Sequence, residues 1–162
     1  MLNPSSTLAA LLTAPVRPGR VEWIGLRPAR RAAMRAVEAV HLDTADGVAG
    51  DRYAGRSGER HVTLIQRENL NAIAAHLGLD LVLPEQLRRN VVISGLNLLA
   101  LKERRFQLGA AVLEMTGECH PCSRMEETFG PGGYNAVRGH GGITARVLDA
   151  GGVRVGDLLT PL

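Results

Sequence analysis

Apolar and polar residues alternate along much of the chain, as they do in β-strands that bury one face. The alternation begins in "GRVEWIGLRP", where Val21 and Trp23 share the apolar side, and it returns in "MRAVEAVHLD". Two further segments, "HVTLIQRE" and "RRNVVISGLNLLAL", also predict strands, and the second is apolar enough to be a buried strand that ends in a glycine turn. The first part of the chain is therefore expected to be rich in strands.

The C-terminal half continues this pattern with glycine turns between short strands. "RRFQLGAAVLEMTG" predicts a hairpin with Gly109 at its turn and with Leu113 and Met115 facing inward. "HGGITARVLDAGGVRVGDLLTPL" predicts two or three more strands, whereas "RENLNAIAAHLG" has helical spacing and ends at Gly78. The expected fold class is mainly β with a few helices (α+β): a barrel-like β structure with one or two packed helices.

A length of 162 residues suits one domain. Residues 1–18 contain Pro4, Pro15 and Pro18 without periodicity, so we expect a flexible N-terminal tail there and the folded domain at residues 19–162. No apolar run is long enough to span a membrane, and no basic stretch precedes the first apolar residues, so no membrane association and no secretory signal are expected. Two cysteines are too few for a disulfide scaffold, which favours a cytoplasmic location.

The charged residues are unusual in type rather than in number. The net charge is +3, and all but one of the 19 lysines and arginines are arginines, the exception being Lys102. Aromatic residues make up 3% of the chain, which leaves few side chains to stack on bases, so a nucleic-acid partner is not expected. Arginine forms bidentate hydrogen bonds with phosphate and carboxylate groups, so an anionic small molecule is the more natural partner.

Both cysteines lie in "GECHPCSRMEE", and their spacing admits three interpretations. A structural zinc site needs four ligands, and the histidines show no His-x3–5-His pair, so zinc is not expected. A thioredoxin-like pair has the spacing of Cys119 and Cys122, but that motif belongs early in a βαβ unit, and here a short glycine-rich segment follows. The histidines are His41, His61, His76, His120 and His140.

The third interpretation, one reactive thiol, is the one that we adopt. "CSRMEE" can open a helical turn, and Arg124 lies close to Cys122 in sequence, so both features would favour the thiolate of Cys122. A thiolate in this setting can accept sulfur or bind a soft metal ion. An inert buried thiol is the simpler interpretation of Cys119.

Four segments, in this order, resemble the MOSC domain family, which is named after the C-terminal domain of molybdenum-cofactor sulfurases. They are "GVAGDRYAGRSGERHVTLIQ", "RRNVVISGLNLLAL", "GECHPCSRM" and "GGITARVLDAGGVRVGD". The resemblance runs from about Gly19 to the C-terminus and is closest to the short, stand-alone bacterial type. It implies a mainly β, barrel-like fold around a pocket for the pterin-based molybdenum cofactor (molybdopterin).

The resemblance also implies roles for individual residues. Cys122 matches the functional cysteine, which either carries sulfur as a persulfide or ligates molybdenum. Arg88 and Asn90 match the Arg-x-Asn that helps to hold the phosphate side of the pterin. The other implied cofactor-binding residues lie in the glycine loop, "GVAGDRYAGRSGERH", and beside the thiol: Asp51, Arg52, His120, Ser123 and Arg124.

The resemblance implies a protein that binds the molybdenum-pterin cofactor, relays sulfur to it through a cysteine persulfide, or does both, and it favours an enzyme. One alternative is a molybdenum-dependent reductase of N-hydroxylated compounds with a separate electron donor. The other is a non-catalytic module for cofactor storage or insertion. The protein partners implied are a cysteine desulfurase or an electron-donor protein.

Pyridoxal phosphate is associated with the family through members that are fused to desulfurases. A Schiff base with this cofactor needs a lysine, and Lys102 is the one lysine, in a charged stretch. We therefore do not expect pyridoxal phosphate to bind this chain.

Overall fold

The computed structural model describes residues 2–53 and 57–162. Eleven strands lie within these residues: β1 Gly19–Leu26, β2 Arg35–Val37, β3 Ala39–Asp43, β4 Gly47–Val48, β5 Val62–Gln66, β6 Val91–Ser94, β7 Arg105–Leu108, β8 Ala111–Glu118, β9 Ile143–Asp149, β10 Gly151–Arg154 and β11 Leu158–Pro161. Five α-helices accompany them: α1 Thr7–Leu12, α2 Arg67–Leu77, α3 Pro84–Leu87, α4 Ser123–Phe129 and α5 Gly133–Val137. A short 3₁₀ helix covers Leu98–Leu101.

Seven strands form a closed barrel in the order β1, β6, β5, β9, β8, β7, β11. The barrel closes where β11 pairs with β1, with Gly19 opposite Leu159. Neighbouring strands are antiparallel except β5 and β6, which run parallel because α2 and α3 carry the chain back between them. Strand β2 extends the sheet beyond β1, and β10, β3 and β4 form a separate three-stranded sheet.

Apolar side chains form two layers, one inside the barrel and one beneath the helices. Strand β6 shows why: Val91 and Ile93 point into the barrel, whereas Val92 between them packs under the helices. A strand that is covered on both sides is apolar throughout, which explains the continuous apolar run in its sequence. The outer layer joins α2 to α4 and α5 through residues such as Ile73, Met125 and Val137.

Most of the predicted elements are present, and the barrel-like, mainly β fold class is confirmed. The hairpin turns at Gly109, and α2 ends at Gly78 in a left-handed conformation. The described residues contain five helices, more than the one or two that the sequence predicts. "MRAVEAVHLD" forms two strands in different sheets instead of one, and the strand before the cysteines runs on to Glu118.

The N-terminal segment contains a helix that the sequence does not predict. Helix α1 begins after Ser6, whose hydroxyl accepts a hydrogen bond from the backbone N–H of Ala9. None of its residues is buried. Within the described ranges, no helix is both long and apolar enough to cross a bilayer.

Candidate functional site

The two cysteines lie in a loop between β8 and α4, in opposite surroundings. Cys119 follows the end of β8 and is 5% exposed, and its backbone N–H donates to the carbonyl of Gly142 at 2.8 Å. Cys122 precedes α4 and is exposed. Both thiols are free. The segment thus offers one accessible thiol and one enclosed thiol.

The loop that leads into β9 fits closely against the cysteine loop. A Cβ atom on Gly141 would collide with the carbonyl oxygen of Cys119, and one on Gly142 would collide with the carbonyl oxygen of Leu64. Gly142 also has a φ of +87°, a conformation that side chains other than glycine rarely adopt. Glycine is therefore required at both positions, at 141 for the contact with the cysteine loop and at 142 for the contact with strand β5.

A cleft of about 500 Å³ opens beside the cysteines. This volume lies within the range of about 300–1,000 Å³ that is usual for small-ligand sites. Both cysteines contribute to its wall, and His120 lies between them. The other lining residues come from the loop before β5, the start of β6, strands β8 and β9, and α4: Glu59, Arg60, Arg89, Thr116, Gly117, Glu118, Pro121, Met125 and Thr144.

Arg89 is a wall residue of this cleft that the sequence analysis does not single out. Its Nε donates to the carbonyl of Gly141 at 2.8 Å, and its Nη1 donates to the carbonyl of Leu87 at 2.7 Å. Burial lowers the pKa of Arg89 below its ordinary value, and the charges of Arg27 and Arg60 lower it further, while the Cys119 and Cys122 sulfurs raise it. Its place next to Arg88 and two residues after a helix is the signal that could have identified it.

Asp51 and Asn90 belong to a buried network that is centred on Arg27. The Arg27 guanidinium binds the Asp51 carboxylate through Nε at 3.2 Å and Nη2 at 2.8 Å, and the Arg27 backbone N–H adds a bond of 2.7 Å. Asn90 donates to Asp51 Oδ1 at 3.2 Å and to the carbonyl of Gly25 at 3.2 Å. Its own side-chain oxygen accepts from the backbone N–H and the hydroxyl of Thr63, each at 3.1 Å. Asn90 is completely buried.

This network ties the glycine loop to the barrel wall. Burial alone would raise the pKa of Asp51, but the hydrogen bonds and charge of Arg27, with the backbone N–H of Tyr53, outweigh it and hold the pKa below 3.8. Both polar atoms of the Asn90 side chain are engaged by protein groups. The geometry therefore indicates that Asp51 and Asn90 position their neighbours, and direct contact of either with a cofactor stays a prediction.

Arg88 lies at the centre of a cluster of positive charge. It ends α3 in a left-handed conformation with a φ of +57°, and its Nη1 donates to the carbonyl of Ala32 at 2.6 Å. Partial burial lowers the pKa of Arg88 below its ordinary value, and the charges of Arg124, Arg27 and Arg52 lower it further. Asp51 acts in the opposite direction. We call Arg27, Arg52, Arg88 and Arg124 the arginine cluster.

The fold brings most of the predicted site residues together. Arg124 lies in the first turn of α4, so it connects the arginine cluster to Cys122. Arg52 is exposed at the edge of the cluster, and Ser123 is exposed at the start of α4. His120 lines the cleft and also a second cavity of about 340 Å³ on the far side of Cys119.

Two pairs of neighbouring charged residues are not paired with each other in the structure. Asp51 binds Arg27 rather than Arg52, and Glu59 binds Arg146 rather than Arg60. His61 is buried and accepts a hydrogen bond at Nδ1 from the Val147 backbone N–H at 3.2 Å, so it is a structural residue. In the part of the chain that the structure describes, no three His, Cys, Asp or Glu side chains are grouped as a metal site.

The closed barrel and the sequence profile together define the class of protein. The chain belongs to the MOSC domain family, because the family's sequence profile matches residues 38–160. The family is associated with molybdenum-cofactor binding. No curated protein matches the chain significantly.

Solved structures of small MOSC-family proteins have the same fold. The YuaD protein from Bacillus subtilis is 22% identical, with a TM-score of 0.77, over 88% of this chain and 94% of that chain. YiiM from Geobacillus stearothermophilus is 15% identical, with a TM-score of 0.71, over 89% of this chain and 75% of that one. YiiM from Escherichia coli is 18% identical, with a TM-score of 0.68, over 88% and 69%. At these identities the likeness is one of fold.

Proposed function

We propose that this protein binds the molybdenum-pterin cofactor, with Cys122 as the thiol that ligates molybdenum or carries sulfur to the cofactor as a persulfide. One observation carries the proposal: the exposed thiol of Cys122 and the arginine cluster adjoin each other through Arg124. A soft sulfur donor and a set of arginines are the groups that suit a metal ion and a phosphate in one ligand.

The residues fit this cofactor in chemistry. Cys122 would hold the metal, and Arg88, Arg124 and Arg52 would hold the phosphate. Arg88 supports such a role because an anion would relieve the mutual repulsion of four guanidinium groups, of which Arg27 is already paired with Asp51. When bound, the cofactor would supply two-electron redox chemistry or accept sulfur. His120 and Ser123, beside the thiol, are further candidates for contact.

The test compares Cys122→Ser with Cys119→Ser after expression in a host that is supplied with molybdate. Serine is nearly isosteric with cysteine but binds soft metals poorly and carries no sulfane sulfur, so Cys122→Ser should lose bound molybdenum or persulfide and Cys119→Ser should keep it. Metal analysis and a sulfane-sulfur assay would be run on both variants, with circular dichroism to check folding. Equal loss in two folded variants would show that the thiols act as a pair and would overturn the assignment of one thiol.

The same measurements separate the forms of the proposal. Molybdenum in stoichiometric amount favours a reductase or a storage module, and of these two the reductase would need a separate electron donor as a partner. A persulfide without metal favours a relay that is loaded by a cysteine desulfurase. A wild-type protein that carries neither metal nor persulfide would contradict the proposed function.

A further inference from the structure

Arg89 is a partly buried cation that forms no ion pair with a carboxylate of the residues that the structure describes. Among residues 2–53 and 57–162, the acidic side chains that form ion pairs bind Arg27, Arg67 and Arg146, and none binds Arg89. Residues 54–56 have the sequence Ala-Gly-Arg and add no carboxylate. Buried charges in proteins are normally paired, because removing a charge from water without a counter-charge is costly. The cleft is therefore a place where an anion would be stabilised.

The hydrogen bonds of Arg89 leave part of its guanidinium free. The group has five N–H bonds, and the two that meet the Gly141 and Leu87 carbonyls fix its orientation. Nη2 lies close to Gly141, since a Cβ atom there would be 3.4 Å from it. No other hydrogen bond from this guanidinium is formed within the described residues. Since Arg89 lines the cleft, the remaining donors are available to a ligand.

We propose that the cleft beside Cys122 contains a subsite for a small oxyanion, and that Arg89 supplies its charge and its hydrogen-bond donors. The guanidinium fork matches the spacing of two oxygens on a sulfate, sulfonate or phosphate group. The backbone of the cysteine loop provides further polar groups on the same wall, whereas the Thr116 and Thr144 hydroxyls donate to the carbonyls of Glu59 and Gly117. The two carboxylates of the cleft, on Glu59 and Glu118, belong to exposed residues, and Glu59 is paired with Arg146.

This subsite is distinct from the arginine cluster. Arg88 and Arg89 are adjacent, but Arg88 bonds to the Ala32 carbonyl, whereas Arg89 bonds to the Gly141 carbonyl and lines the cleft, which none of the four arginines of the cluster does. Arg27 acts electrostatically on both arginines, and Arg89 also interacts with Arg60 and the two cysteines. The anion at Arg89 could be a free ion or the charged end of a larger substrate that reaches Cys122. The inference depends on the proposed function only in taking Cys122 as the working thiol.

Protection of Cys122 from alkylation tests the subsite without any molybdenum. Protein is treated with iodoacetamide, a neutral reagent, in sodium sulfate, in phenyl phosphate, or in sodium chloride at equal ionic strength. Modification at Cys122 is quantified by fragmentation mass spectrometry. We expect both oxyanions to slow the modification relative to chloride, and a stronger effect of phenyl phosphate would indicate the end group of a larger ligand. No protection of the wild-type thiol by either oxyanion would overturn the proposal.

Variants then assign the protection to one arginine. Arg89→Met should weaken the apparent affinity for sulfate about tenfold or more, because it removes the charge-assisted bonds. Arg17→Met is the matched control, since it removes the same charge from an exposed residue outside the cleft, and it should behave as the wild type. Arg89→Lys keeps the charge without the fork and should retain part of the protection. Protection that survives in a folded Arg89→Met and is lost in Arg88→Met would place the anion at the arginine cluster and contradict the proposal.

Failure of the subsite proposal can be distinguished from failure of the proposed function. Sulfate protection in a protein that retains neither molybdenum nor persulfide would support the subsite and refute the cofactor assignment. Retention of molybdenum, with no protection of the metal-free protein by either oxyanion, would support the cofactor assignment and refute the subsite.

Discussion

Cys119 and Cys122 are three positions apart, yet the fold places one thiol in the wall beneath the loop and the other at the surface. The difference arises because Cys119 still continues the line of β8 and hydrogen-bonds to the loop before β9, whereas Cys122 lies beyond Pro121, at the start of α4. Accessibility thus separates two side chains that the sequence presents as a pair.

This difference predicts selective labelling. At neutral pH and limiting iodoacetamide, Cys122 should be modified about tenfold faster than Cys119 or more, because a thiol that is 5% exposed is shielded from the reagent. Peptide mass spectrometry with fragmentation distinguishes the two sites. Faster labelling of Cys119 in folded protein would show that the loop opens in solution.

Asn90 predicts an effect on stability. Asn90→Ala should lower the free energy of unfolding by about 3 kcal/mol, because it leaves Asp51, Thr63 and Arg27 without their buried partner. The matched control is Arg88→Ala, which removes a half-buried side chain two residues earlier and should cost about 1 kcal/mol or less. Urea unfolding of both variants measures the difference. Equal stability of Asn90→Ala and the wild type would mean that the network contributes little.

At the level of elements, the site is built where several loops meet the ends of barrel strands. The glycine loop before β5, the turn into β6 and the cysteine loop after β8 supply residues to the cleft or to the arginine cluster, and the Gly-Gly turn before β9 orients Arg89 through the Gly141 carbonyl. Thr116 strengthens this junction, because its hydroxyl donates to the carbonyl of Glu59 and contacts the Thr144 hydroxyl at 2.9 Å. The strands provide a rigid frame, and the loops carry the chemistry.

His61 links the loop before β5 to strand β9 and predicts a dependence of stability on pH. Burial first, and then the charge of Arg146, lowers the pKa of His61 below 6.5, although Asp43 and Asp46 act in the opposite direction. The unfolded chain therefore binds a proton at His61 more readily than the native protein does. The contribution of neutral His61 to the free energy of unfolding is therefore fully present above pH 6.5, and it is lost as the pH falls below that value and through the lower pKa of the native state.

The measurement is the thermal unfolding midpoint of the wild type and His61→Gln between about pH 8 and 5. Glutamine can still accept the bond from Val147 but does not titrate in this range. The wild type should lose stability over the acidic half of the range, and the variant should lose less. Parallel curves would show that His61 does not titrate differently in the two states.

For the whole molecule, the barrel is complete without the N-terminal segment. The closing strand β1 begins at Gly19, and the hydrogen bonds of the preceding residues stay within that segment. Its four leucines are exposed: Leu2 at 45%, Leu8 at 52%, Leu11 at 69% and Leu12 at 59%. The segment therefore contributes little to the fold of the domain.

Deletion of residues 2–17 tests this point. Since no residue of α1 is buried, the free energy of unfolding should change by about 0.5 kcal/mol or less. Thermal and urea unfolding of the shortened and full-length proteins give the comparison. A large loss of stability would show that the segment packs on the domain in solution.

The sequence predicts the local parts of this molecule better than their assembly. Alternating residues and glycine turns identify β1, the hairpin at Gly109 and helix α2, because each depends on neighbours in the chain. The partner of Asp51 is different: the adjacent Arg52 is the obvious candidate, whereas the actual partner, Arg27, is separated from Asp51 by three strands in the sequence. Arg89 was missed for the same reason, since its importance comes from Gly141 and the cysteines, which only the fold brings near.

The seam between β1 and β11 has a consequence for synthesis of the protein. Gly19 lies opposite Leu159, so the ring joins the first and last strands of the domain. On the ribosome, β1 emerges early, and almost the entire chain must be synthesised before β11, the strand that closes the barrel against it, leaves the exit tunnel. Until then Val21 and Ile24, which are fully buried in the closed barrel, cannot be completely shielded from water. The nascent chain therefore depends on late, long-range closure, the type of folding that is slow and benefits most from chaperones.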